Sequence, residues 1–289
     1  MFNINQFILN TPEKFHSLSC GDSLFTVYNC YIENKFADIW SHNNYIVYVA
    51  EGRKIWHTPH GAYDLQKGSC VFVRRGAAIV EQFFDTAFCL YIFFVSDEFI
   101  CDVLKTKTTA LQTSEKEFQP VIPIVSNETV HSFFKSMMPY FNAPQAPDET
   151  LLELKFKELI LTIADNKENE EVLSYFCKLL HAPKNVSLQT VMEDNFCFNL
   201  KMEEFAKLTY RSLSAFKRDF ENIYHTSPGK WLMEKRLNYA KHLLTNTDKS
   251  VSDAAFESGF ENNAHFSRVF SKRFGNPPSS VKKAAAFLN

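Results

Sequence analysis

Two arginines hold matching places in this chain. Arg218 lies two residues after Phe216, and Arg268 lies two residues after Phe266. Phe220, Tyr224 and Pro228 follow the first at the offsets at which Phe270, Phe274 and Pro278 follow the second, so the segment repeats every fifty residues. A guanidinium carries paired N–H donors that fit O6 and N7 of guanine in a major groove, and an asparagine amide fits N6 and N7 of adenine. At helical spacing Leu213, Phe216, Phe220 and Tyr224 share one side, and Ser214, Lys217, Arg218 and Glu221 share the opposite one. In the second unit Phe266, Phe270 and Phe274 face inward, and Asn263, Ser267, Arg268 and Ser271 lie toward the other side. The candidate base contacts are therefore Ser214, Lys217, Arg218, Asn263, Ala264, Ser267 and Arg268. The candidate phosphate contacts are Ser212, Lys230, Asn262 and Lys272, with Lys282 and Lys283 as further cations near the end. A plainer role stands beside each: an arginine stem packed over an aromatic ring with its head on a local acid. Arg236, close to Glu234, reads as structural.

The elements that carry these residues are short helices. From Val186 onward no strand pattern occurs, and breaks fall at Thr209–Arg211, Thr226–Pro228, Asn246–Lys249 and Gly259–Asn262. Short helices joined by tight turns are the helix-turn-helix pattern. Ser227 to Asn246 reads as one helix, with Trp231, Leu232, Leu237, Ala240, Leu243 and Leu244 at helical spacing. Such a helix spans ~30 Å, close to the ~34 Å of one DNA turn. It could hold two recognition helices in successive major-groove segments.

The first half has another character. Leu24–Ile32, Tyr45–Ala50, Lys54–Thr58, Cys70–Arg74, Ile79–Phe84 and Cys89–Val95 are β-branched and aromatic-rich, with turn signals between several of them. That spacing predicts an antiparallel sandwich or barrel over residues 20–96, with Glu51-Gly52 as a hairpin turn. Helices are expected at Asp97–Leu104, Glu128–Phe141, from Pro147 onward, and at Glu170–His181. Leu152, Phe156, Leu159, Ile160 and Ile163 form an apolar stripe, either a dimerisation surface or packing against the sandwich. Ala182-Pro183-Lys184-Asn185 reads as a linker. The expected fold is α+β: a cupin-like antiparallel β-sandwich or barrel plus helices over 1–182, then an all-α domain with two helix-turn-helix units over 183–289.

The C-terminal ~100 residues resemble the AraC/XylS family of bacterial transcription regulators. The carriers are FAKLTYRSLSAFKRDFENIYHTSPGKWLMEKRLNYAKHLL and VSDAAFESGFENNAHFSRVFSKRFGNPPSSV, including Gly259-Phe260, Phe266-Ser267-Arg268, Phe270, Phe274-Gly275 and Pro278-Ser279. The chain departs from the family pattern at three places. Lys201 stands at a helix start where Ser or Asp is usual, Tyr210 stands in the first turn, and Val281-Lys282 replaces an aromatic-Arg pair. The N-terminal half resembles the subgroup that activates type III secretion genes, through VYVAEGRKIWHTPHGAYDLQKGSCVFVRRGAAIVEQFF and FCLYIFFVSDEFI. The resemblance implies a sequence-specific activator whose partners are double-stranded promoter DNA, RNA polymerase and a second copy of the chain. The signal to the first half is either a small molecule or, as in the subgroup, a regulatory protein. No cofactor is implied.

Charge agrees once divided. The whole chain has 31 Lys+Arg and 33 Asp+Glu, a net −2 that, taken as one number, argues against nucleic acid. From Asn185 on there are 15 basic and 11 acidic residues, +4, and the preceding residues carry −6. With 45% hydrophobic and 22% charged residues, disorder is excluded as the dominant state. Seven cysteines with no CxxC pair speak against a zinc site or a disulfide framework. The N-terminus lacks a basic n-region, and Phe88–Val95, the longest apolar run, is far short of the ~18 residues of a membrane span. A cytoplasmic location without membrane contact is expected. The alternative function is a cupin-type metal-dependent enzyme with a helical appendage, resting on His42, His57 and His60. No HxH pair and no acid–base or nucleophile constellation supports it.

Overall fold

The structure, a computed structural model, describes residues 1–29, 34–84, 88–109, 111, 118–143, 145–181 and 186–286 of the 289-residue chain, with backbone alone for 284–286. It divides into two compact units, Met1–Val186 and Ser187–Asn289. The linker expected at 182–185 lies outside the described residues.

In the first unit β1 (Phe2–Asn3) and α1 (Ile4–Leu9) precede β2 (Ser17–Cys20), β3 (Ser23–Tyr28), β4 (Phe36–Ser41), β5 (Asn44–Glu51), β6 (Arg53–Thr58), β7 (Gly61–Gln66), β8 (Cys70–Val73), β9 (Gly76–Gln82) and β10 (Cys89–Val95). Then come α2 (Asp97–Lys105), β11 (Val121–Ile124), α3 (Glu128–Asn142), α4 (Glu149–Asp165) and α5 (Glu170–His181). A five-stranded sheet runs β1-β4-β9-β6-β7, and a six-stranded sheet runs β11-β8-β5-β10-β3-β2. All pairs are antiparallel except β1 with β4.

The six-stranded sheet is covered on both faces. Leu24, Val47, Val71, Ile92 and Phe94 point to the five-stranded sheet and meet Ile39, Trp56 and Val80. Their sequence neighbours Phe25, Ile46, Phe72 and Phe93 point the other way, into a core with α2 to α5. Burial on both faces is why these strands read as continuous apolar runs rather than alternating ones.

Several expectations are corrected. Gly52 does not close a hairpin: β5 belongs to the six-stranded sheet and β6 to the five-stranded one, so the chain changes sheet there, at φ +83°. The hairpin is one turn later, β6 with β7 around Pro59-His60. Strand structure also leaves the 20–96 window. β2 begins at Ser17, and β11 lies within the stretch read as helical, pairing with β8. β11 is four residues long, and Pro123, exposed at the sheet edge, is tolerated because an edge strand need not use every N–H. Ile32, the expected end of β3, lies outside the described residues.

The stripe on α4 is also corrected. Leu152, Phe156, Leu159, Ile160 and Ile163 are all buried, the last four completely, in the core shared with Phe25, Phe93 and Phe133. They pack against their own sandwich and offer no surface to a second chain. A buried polar group fastens this helical layer to the sheet. Asn44 donates to Asp97 at 2.6 Å and accepts from the Arg75 backbone N–H at 2.9 Å, while the Arg75 guanidinium pairs with Asp97.

Neither His42 nor His57 joins a cluster of ligands. His57 bonds Glu81 at 3.0 Å, and His42 meets the Asn3 amide at 3.1 Å. Among the described residues no three His, Cys, Asp or Glu side chains gather in a way that could hold a metal ion. The six described cysteines are free thiols. No described helix is long and apolar enough to cross a membrane.

The second unit is all helical: α6 (Leu188–Asn195), α7 (Met202–Leu208), α8 (Leu213–Tyr224), α9 (Pro228–Asn246), α10 (Val251–Glu257), α11 (Asn263–Phe274) and α12 (Pro278–Ala286).

Candidate nucleic-acid interface

Each recognition helix is positioned by its aromatic ladder. Phe216, Phe220 and Tyr224 stack down α8 with centroids 6.0 and 4.6 Å apart, and Phe220 meets Trp231 of α9 at 5.9 Å. Phe266, Phe270 and Phe274 repeat this on α11 at 5.3 and 4.6 Å, in a core with Leu237, Ala240, Leu244, Ala254 and Phe260. Phe216, Phe220, Phe266 and Phe270 are fully buried. Burying such rings contributes roughly 1.5–3 kcal/mol each, which fixes the roll of each helix and so aims its other side at solvent. That other side holds Ser214, Lys217, Arg218 and Glu221 on α8, and Ala264, Arg268 and half-buried Ser267 and Ser271 on α11.

Both turns enter their recognition helix through a side-chain cap. Ser212 Oγ accepts from the Ala215 N–H at 3.2 Å, and Asn262 Oδ1 from the His265 N–H at 2.9 Å. These two expected phosphate contacts thus commit a side-chain oxygen to the helix, and they remain exposed at its positive end. Lys230 and Lys272 are exposed on α9 and α11. Asn263 is exposed, yet its amide donates to Ser252 of α10 at 3.0 Å. Lys282 bonds the carbonyls of Asp248 and Lys249 at 3.1 and 2.7 Å, in the connection between α9 and α10.

The arginines differ. Arg218 is 71% exposed and pairs with Asp219 at 3.1 Å. Asp219 also takes Arg211 at 3.1 Å, and its carboxyl is held below the usual carboxylate range, first by the Arg218 bond and then by that of Arg211. Among the described residues, the polar contact of Arg268 is a weak one, 3.5 Å to His265 Nδ1. With His265 it edges an open groove of about 840 Å³ that Met202, Gly229 and Met233 also line. Asp219 and Arg211 were missed in the sequence. The signal was the repeat itself, since Asp219 has Val269 as its counterpart fifty residues on.

Arg236 is structural, by a different route from the Glu234 pairing expected. Nε and Nη2 donate to the carbonyls of Phe196 and Phe198, both at 2.7 Å, and Nη1 donates to Gly259 O at 3.0 Å and Asn199 Oδ1 at 3.3 Å. From the middle of α9 it therefore clamps the loop before the first helix-turn-helix to the turn of the second. Glu234 instead pairs with Arg273 at 2.7 Å.

The departures at Lys201 and Tyr210 have local consequences. Lysine cannot accept a capping bond, so α7 keeps half a capping box: Glu204 reaches back to the Lys201 N–H at 2.7 Å. α10 has both halves, Ser250 with Asp253. Tyr210 has φ +54° and His225, at the end of α8, φ +52°; the corresponding turns of the second unit use Gly259 and Gly275.

Comparison with known proteins fits both units. Residues 44–175 match the ExsA N-terminal regulatory domain, and residues 205–284 match a helix-turn-helix domain family. The virulence regulon transcriptional activator VirF of Yersinia enterocolitica is 26% identical over 237 residues, covering 81% of this chain and 87% of VirF. The HTH-type transcriptional regulator ExsA of Pseudomonas aeruginosa is 28% identical over 245 residues, covering 82% and 85%. An apo ToxT variant from Vibrio cholerae aligns over 91% of this chain and 97% of its own, with 13% identity and a TM-score of 0.44. With matched helix-turn-helix units behind a regulatory domain of the ExsA type, the chain belongs to the AraC/XylS family of transcription regulators.

Proposed function

We propose that this protein is a sequence-specific DNA-binding transcription activator that reads two successive major-groove segments on one face of promoter DNA, one with α8 and one with α11. The observation that carries this reading is the repeated exposed side of the two helices, each rolled outward by its own buried aromatic ladder and joined by α9. Nineteen residues of α9 span ~28 Å, close to one turn of DNA. Ser214, Lys217, Arg218, Ala264, Ser267 and Arg268 face the base edges. Ser212, Lys230, Asn262 and Lys272 lie along the phosphates. The net +4 of this half gives a modest non-specific affinity, so base contacts supply the discrimination.

The first unit receives the signal from a regulatory protein rather than from a small molecule inside the sandwich. In support, the space between the sheets is filled by Leu24, Tyr28, Val47, Trp56, Ile92 and Phe94, all buried. A second copy, where it binds, uses a surface other than the buried stripe; Leu151 and Leu154 are exposed on α4. RNA polymerase is the downstream partner.

The test is selection from a randomised duplex pool, followed by anisotropy titration of the enriched site at several salt concentrations. Binding should fall steeply with salt, and Arg218→Ala or Arg268→Ala should each cost about 1–3 kcal/mol on that site. Enrichment of no sequence refutes the reading, and unchanged affinity in both variants removes the two arginines as readers.

A further inference from the structure

The guanidinium of Arg218 is held in a way that the second unit does not repeat. Asp219 Oδ1 accepts from both Nε and Nη2 of Arg218, at 3.2 and 3.1 Å. Asp219 Oδ2 accepts from Arg211 Nε at 3.1 Å, and Arg211 Nη1 donates to the Thr209 carbonyl at 2.9 Å. The chain of contacts runs from the recognition helix through one carboxylate into the turn before it. Residues i and i+1 of a helix do not face each other, so this geometry requires the Arg218 head to swing back toward Arg211.

A guanidinium has five N–H donors. Asp219 occupies Nε–H and one N–H of Nη2, along one edge. The remaining Nη2–H and the Nη1–H beside it form the end-on edge, the pair that fits O6 and N7 of guanine.

We propose that Asp219, anchored by Arg211, is a positioning residue that presets Arg218 for end-on recognition of a guanine. The first helix-turn-helix unit then reads one guanine sharply. The second, with Val269 in place of Asp219 and Arg268 held, among the described residues, only by the 3.5 Å contact to His265, reads its segment with an arginine that adapts. Presetting removes side-chain freedom before binding instead of at binding. This rests on the proposal that α8 faces DNA.

The experiment uses the full chain and the duplex enriched by the wild type from a randomised pool, together with its single-base variants. Asp219→Asn keeps the shape and removes the charge, Asp219→Ala removes both, and Arg218→Ala and the double variant complete a cycle. Circular dichroism verifies that each variant keeps its helix content. The expected result is a loss of preference for one guanine of roughly 5- to 150-fold in Arg218→Ala, the range of one bidentate contact. Both Asp219 variants should show a partial loss at the same base, with nearly unchanged salt slope and no further loss in the double variant. An Asp219 that acts only as a repelling charge predicts the opposite: tighter binding to every duplex with the guanine preference intact, which overturns the proposal. Loss spread evenly over all bases overturns it too. A wild type that enriches no duplex removes the DNA reading itself, and this inference with it.

Discussion

Gly259 gives the sharpest test of how the two helix-turn-helix units are joined. Its φ is +83°, where a residue with a Cβ is strained by roughly 1–2 kcal/mol. A Cβ built there would sit 2.4 Å from the carbonyl oxygen of Cys197, 2.9 Å from its carbon and 3.1 Å from Cζ of Arg236. The obstacle is backbone, so the loop Phe196–Asn199 must move, and with it the carbonyls that Arg236 holds. Forcing atoms into a packed site typically costs a further 1–3 kcal/mol or so. Gly275, with φ +78° and nothing within 4 Å of a built Cβ, is the matched control. Gly275→Ala should therefore show the conformational term alone, and Gly259→Ala that term plus the clash. The unfolding of the Ser187–Asn289 unit, followed calorimetrically, reads the difference. One kcal/mol shifts the midpoint by about 4–8 °C in a domain of this size. Gly275→Ala should lower Tm by about 4–16 °C, and Gly259→Ala by at least about 4 °C more. Equal shifts in the two variants would show that the close approach of Cys197 and Gly259 is not what joins the units, and the reasoning would fail.

Other outcomes follow from the same geometry. Tyr210→Gly and His225→Gly should each raise the Tm of this unit by a few degrees, since each relieves a left-handed non-glycine residue at a cost of about 0.5–1 kcal/mol in glycine entropy; a fall in both would refute the strain. Asp97→Ala leaves Arg75 buried without its carboxylate and should destabilise the first unit by about 3–5 kcal/mol in urea titration, against little change for an exposed control such as Asp102→Ala. The Asp219 carboxyl is depressed by Arg218 and Arg211, so its ion pairs are fully present above its unfolded pKa near 4 and are lost only as pH falls through the lower folded value. Its titration should therefore leave guanine preference flat between about pH 5 and pH 8, and a preference that fades on acidification from pH 7 to pH 5 would place its pKa elsewhere.

The C-terminal half was legible because its signals are local and duplicated. The fifty-residue offset put Phe216 beside Phe266 and Arg218 beside Arg268, and the burial of the phenylalanines follows from helical spacing alone. What the sequence hid lies in contacts distant along the chain. Arg236 meets Phe196 and Gly259, each more than twenty residues away, and no periodicity announces a guanidinium among carbonyls. In the first half, β3, β5, β8 and β10 were readable as apolar runs. β7 was not, because only Leu65 of its six residues is buried, and β11 was hidden by its length and its proline. The stripe on α4 was read correctly as one apolar side, but sequence alone cannot say whether that side meets its own sheet or another chain. Phe25 and Phe93, on the outer face of the six-stranded sheet, are what it meets.

The two units are unlike in a consistent direction. The second has both left-handed positions as glycine, a complete capping box and small side chains at Ala264, Ser267 and Ser271. The first has Tyr210 and His225 in those conformations, half a box at Lys201, and long charged side chains at Lys217, Arg218 and Glu221. Backbone strain and reading chemistry thus accumulate in the same unit. Arg236 keeps that unit from behaving as an independent one. Two heads held by a rigid link bind as an intramolecular pair, so the second contact forms at high effective concentration only when the half-sites match the fixed spacing. A flexible link would tolerate many spacings and gain less at each. The clamp on the Phe196 and Phe198 carbonyls therefore does for spacing what Asp219 does for one base: it removes freedom before DNA arrives. That allows a domain with a net charge of only +4 to discriminate between sequences without strong non-specific attraction.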